Sequence, residues 1–236
     1  MSLPARELAQ TTWLFVRDNP RTVLLLYAAG VGAATLAAAS TALGSLAYFA
    51  SGVVVYVAVL PWTVKHRAKP ATAGGRFRTF LLATVALEAT VAVVFELSYW
   101  ISQSERASAL SAEAPWSVFL GLWAASIVLT AAVVSAFGNA VVAAYVGERV
   151  SREAVLTRAK RQNPQLFAGI LVLWFMYVIA YVLIYTMCHQ LGIVGGFDWL
   201  VEIVGVPINI AFVALVVRST LDDILGPEPD DLSAFD

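Results

Sequence analysis

The sequence predicts an all-α, polytopic transmembrane bundle of six spans with both termini in the cytoplasm, and three observations carry that expectation. Of its 236 residues, 60% are apolar and 13% charged, with a mean hydropathy of +0.78, whereas soluble domains average about 45–50% apolar and about 25% charged. The apolar residues are gathered into runs long enough to cross a hydrocarbon layer of about 30 Å. Finally, Lys and Arg alternate between rich and poor connections, as expected when basic loops stay on the cytoplasmic side.

Taken in order, residues 4–17 set Leu8, Thr12, Leu14 and Phe15 among Arg6, Glu7, Gln10 and Arg17, the pattern of a short amphipathic helix at the membrane surface, ended by Asn19-Pro20. Spans are expected at about 22–39, 43–64, 79–101, 116–146, 165–189 and 197–217. Ser40 and Thr41 make a tight break between the first two. The fourth run, about 30 residues and roughly 45 Å long, must tilt or project beyond the bilayer. Residues 147–162 are charged and helical in pattern, with Ser151 as N-cap, and Asn163-Pro164 is expected to stop that helix before the fifth span. Gly192, Gly195 and Gly196 make the next turn, and the sixth span contains Pro207. The chain thus reads as one transmembrane domain, 1–225, followed by an acidic disordered tail, 226–236.

Along the chain, the seven non-span segments carry three, none, five, one, five, none and one Lys or Arg, together the 15 in the sequence. Adding or removing one span would scramble this alternation, which places the protein in the plasma membrane with N and C termini inside. The two rich loops supply Lys65, Arg67, Lys69, Arg76 and Arg78, then Arg149, Arg152, Arg158, Lys160 and Arg161. All ten are expected to meet anionic headgroups of the inner leaflet. A cleaved signal peptide is the rival reading of the first run, but its basic flank, Arg17 and Arg21, sits deep in the chain. Arg6-Glu7 before Asn19-Pro20 also echoes Arg152-Glu153 before Asn163-Pro164, a faint internal repeat that ordinary helix-stop chemistry explains equally well.

Ionisable side chains inside spans are costly and must face protein, water or a partner. Glu88 lies ten residues beyond Arg78, about 15 Å into the third span and so near the midplane. Glu96 follows two turns later, and Glu202 sits at the matching depth in the sixth span. Asn209 follows Pro207, Asn139 follows Gly138, and Tyr177, Tyr181, Tyr185 and His189 recur at four-residue steps as a slanting stripe. One reading is an outward polar vestibule of Glu96, Glu202, His189, Tyr181 and Tyr185 leading to Glu88 and Asn209, with Asn139 near the inner end, in a small transporter or channel-like protein. The other is a non-catalytic membrane subunit that packs on a partner protein or a second copy, its carboxylates snorkelling and its Asn side chains bonding between helices.

Enzyme signatures are missing: there is no phosphate loop, His-Glu-x-x-His or Gly-x-Ser-x-Gly. One cysteine, Cys188, and two histidines, His66 and His189, offer no disulfide and no metal-ligand spacing, so no cofactor or metal is expected. Nothing points to nucleic acid, since topology accounts for the basic loops. Arg outnumbers Lys by 12 to 3 and the tail is acidic, which is similar to proteins of GC-rich, salt-adapted archaea. The run from Gly147-Glu-Arg-Val-Ser-Arg-Glu-Ala154 through Ala159 to Leu166 resembles an arrangement in six-helix prokaryotic membrane proteins of unassigned role. Among them are the membrane domains attached to some glycerophosphodiester phosphodiesterases. With no phosphodiesterase domain in this sequence, the resemblance implies a fold type rather than an activity.

Overall fold

The computed structural model describes residues 5–67, 77–102, 115–148, 150–192 and 197–225. Every element among them is a helix: α1 (Ala5–Asp18), α2 (Pro20–Ala39), α3 (Thr41–Arg67), α4 (Phe77–Ser102), α5 (Pro115–Val146), α6 (Arg152–Gln190) and α7 (Phe197–Leu225). The last six are long and apolar enough to cross a membrane, the pattern of a multi-pass membrane protein. The tail beyond Leu225 lies outside the described residues.

Local chemistry sets most boundaries. Asn19 closes α1 by donating from both its backbone N–H and its side-chain Nδ2 to the Phe15 carbonyl, at 2.9 and 3.1 Å. Pro20 then opens α2, where a missing N–H costs nothing. Ser40 adopts an extended conformation and returns its N–H to the Leu36 carbonyl, so a single residue separates α2 from α3. Gly147, with φ of 84°, ends α5 as the Glu148 N–H reaches back to Ala143. The Ser151 hydroxyl accepts from the Ala154 N–H at 3.2 Å, the expected N-cap of α6.

One expectation needs correction. Asn163-Pro164 does not stop a helix: α6 is continuous over Arg152–Gln190 with Pro164 inside it. Proline deletes one donor, and here the carbonyl left over belongs to Lys160, an exposed residue near the end of the bundle, where solvent can serve it. Asn19-Pro20 differs because α1 folds back onto the bundle, which needs a real break. The echo between the two motifs is therefore one of sequence only.

The helices follow one another around the bundle, α2 on α3, α3 on α4, α4 on α5, α5 on α6 and α6 on α7. The last helix then inserts into the middle, touching α1, α2, α3, α5 and α6. Consequently 61% of the apolar stretch of α7 is buried, against 11% of that of α6. Helix α6 instead turns Phe175, Met176, Ile179, Val182 and Leu183 outward, a surface suited to acyl chains. Helix α1 is fastened at the basic end of the molecule. Phe15 is buried and stands edge-on to Trp62 with ring centroids 5.3 Å apart, while Arg218 of α7 pairs with Glu7. Nearby, Arg158 approaches Glu148 and Asp223, and Arg161 approaches Asp223, each at 3.6 Å.

Candidate functional site

Helices α3 and α4 run antiparallel, because Ser45 of α3 meets Glu96 of α4 while Gly52, further along α3, meets the earlier Glu88. The Ser45 hydroxyl donates to the Glu96 carboxylate. Two turns deeper, the Glu88 carboxyl lies on the bare backbone of Gly52, where a methyl group would stand 2.7 Å from the carboxyl carbon. One turn further along α3 is Tyr56, buried. Its hydroxyl has no hydrogen-bond partner among the described residues. Thr84, one turn from Glu88 on the same face of α4, is fully buried and donates its hydroxyl to the Phe80 carbonyl at 3.0 Å. Along the paired helices the oxygen-bearing side chains thus fall at successive levels: Ser45 with Glu96, Glu88 on Gly52, and, one turn beyond on each helix, Tyr56 and Thr84.

Glu202 occupies a different contact. It is buried on α7 against Gly30 of α2, where a methyl group would meet its carboxyl carbon at 2.9 Å. A methyl at Gly205 would lie 3.3 Å from Glu202 Oε2 and 3.4 Å from Tyr177 Cε2, so the carboxyl is enclosed by α2, α6 and its own helix. Both deep carboxyls thus use one device: a glycine on the facing helix provides the room that a side chain would otherwise fill.

Other sequence candidates lie elsewhere. Tyr185 and His189 are exposed on α6, their rings 6.3 Å apart and tilted by 35°; Tyr181 is half-buried. Asn209 is exposed, beside Pro207 in an unbroken α7. Asn139 is fully buried at the basic end, where its Nδ2 reaches the carbonyls of Ala136 at 3.3 Å and Val155 at 3.4 Å, tying α5 to the first turn of α6. Of the basic residues, Lys65, Arg78, Arg152, Lys160 and Arg161 are exposed, and Arg158 is half-buried among its acidic partners. Arg67 is the last residue of α3; Lys69, Arg76 and Arg149 lie outside the described residues.

An open cleft of about 520 Å³ lies at this end, lined by Ser151, Thr157, Arg158, Arg161, Glu148 and Asp223. Its mixed charges largely satisfy one another. No three His, Cys, Asp or Glu side chains converge as a metal site among the described residues.

Sequence reasoning singled out the carboxyls, and Gly30 as a helix-contact position, but missed Gly52, Ser45, Tyr56 and Thr84. The spacing held a signal for the pairing of α3 with α4. Ser45 and Gly52 are seven residues apart on one helical face, and Glu88 and Glu96 eight apart, so an antiparallel pairing of the two helices brings both pairs into register. No family model, no curated protein and no solved structure matches the chain.

Proposed function

We propose that the protein is a small proton-coupled transporter in which Glu88 takes up and releases the proton. The observation behind this reading is a carboxyl in the middle of an apolar helix, seated on Gly52 of a neighbouring span, with no cationic partner among the described residues. An unpaired carboxylate in hydrocarbon costs several kcal/mol. A group that is neutral when enclosed and ionised when wet couples proton binding to a change of access. Glu202, enclosed between α2, α6 and α7, is the second group whose ionisation such a change would affect. At the basic end, exposed Lys65, Arg78, Arg152, Lys160 and Arg161 would hold the bundle against anionic headgroups.

The test is electrical. Purified protein in proteoliposomes on a solid-supported membrane is challenged with pH jumps and with a panel of small charged solutes. Pre-steady or sustained currents that vanish in Glu88→Gln, with thermal stability retained, are the expected result. Currents unaffected by Glu88→Gln would remove Glu88 from the reading. No current with any solute, together with a stoichiometric partner recovered from native membranes, would favour the packing-subunit alternative.

A further inference from the structure

Helix α3 carries a buried polar atom that no described residue serves. Tyr56 is 2% exposed, and its hydroxyl has no hydrogen-bond partner among the described residues. Leaving a buried hydroxyl unbonded is costly, so such a group ordinarily holds a water or a ligand. By helix register, two further oxygen-bearing side chains, Glu88 and Thr84, stand on the facing helix near this level. Gly52 and Tyr56 are one turn apart on one face of α3, and the Glu88 carboxyl lies on Gly52. Thr84, one turn from Glu88 on α4, gives its hydrogen to Phe80 and keeps its lone pairs. A water site needs 2–4 polar partners, about the number present. The absent side chain of Gly52 keeps the carboxyl deep in the contact.

Few other charges compete. Helix α4 packs on α3 and α5. From α3, Tyr56 is the titratable side chain one turn from Gly52. From α5, Tyr145 meets Phe80, two turns nearer the basic end than Glu88. On α4 itself, Glu96 is two turns away and bonded to Ser45, and Arg78 is exposed near the helix start.

Resting on the reading of Glu88 as the proton carrier, we propose that Tyr56, Thr84 and Glu88 form a water-binding site through which Glu88 exchanges its proton toward the basic end. When the acid ionises, its O–H bond breaks and the proton joins the water as hydronium; that hydronium gives a proton to a second water, which carries it away, and the bound water returns to neutral. The carboxylate left behind accepts a hydrogen bond from the same water, and Tyr56 and Thr84 hold that water without losing their own protons.

The experiment uses the full-length protein in nanodiscs and follows Glu88 in two ways: the carbonyl stretch of its protonated carboxyl by infrared difference spectroscopy across pH and in D2O, and its labelling by dicyclohexylcarbodiimide. Tyr56→Phe keeps the ring and removes the hydroxyl, so the fold is retained. It should slow deuterium exchange at Glu88 by about tenfold, the weight of one hydrogen bond, and shift the band of the carboxyl. Tyr48→Phe, at an exposed position of α3, should change neither. Unchanged exchange and an unshifted band in Tyr56→Phe, with Glu88 still titrating, would overturn the water site and leave the transport reading intact. A wild-type Glu88 that neither titrates nor exchanges would overturn both.

Discussion

Gly52 and Gly30 show how a missing side chain can position someone else's. Each lies where a carboxyl from another helix, Glu88 or Glu202, occupies the volume a Cβ would need. Because the methyl in Gly52→Ala would come up against the Glu88 carboxyl, the substitution should destabilise the bundle by about 1–3 kcal/mol, the usual cost of overpacking. Much of that loss should disappear in the Glu88→Ala background, which removes the opposing group. Thermal unfolding of the two single variants and the double variant in detergent measures the coupling. Strictly additive losses would mean that the carboxyl is not what Gly52 accommodates.

At the scale of elements, α1 is part of the bundle rather than a float on its surface. Its buried Phe15 packs on Trp62, and its Glu7 pairs with Arg218, while Trp13 is left 65% exposed. Phe15→Ala should therefore lower stability by about 3 kcal/mol, as for other large-to-small changes in a packed interior. Trp13→Ala should change it little. Scanning fluorimetry of both variants distinguishes them, and equal, small effects would detach α1 from the core. The contrast between the two Asn-Pro motifs belongs to this scale as well. The same dipeptide separates α1 from α2 yet lies inside α6, because the decision rests with what the flanking segments pack against.

For the whole molecule, the closing helix α7 makes the centre, and α6 is left on the perimeter with most of its apolar surface outward. The ion pair between Glu7 and Arg218 puts α1 and the end of α7 at one end of the bundle. Topology then becomes a single binary question. Reporters placed in 68–76 or after Gly226 should report the cytoplasm, and reporters in 103–114 or 193–196 the opposite side, as the alternation of basic loops requires. A reporter after Gly226 found outside would invert the whole arrangement.

The helices were legible in the sequence because hydrocarbon leaves a chain few options: each span must bond its own backbone and present apolar side chains, and both requirements are written residue by residue. The same holds for Ser151 as a cap and Ser40 as a break, both of which depend on near neighbours in the chain. Partnership does not. Whether Glu96 meets Ser45 or another vestibule residue, whether Glu202 rests on Gly30, and whether Asn209 faces the interior are set by rotation and register between helices distant in sequence. In an apolar bundle many registers bury similar area, so hydropathy cannot choose among them. Close contact at Gly52 and Gly30, and a Tyr56 hydroxyl without a partner among the described residues, exist only once the helices have packed.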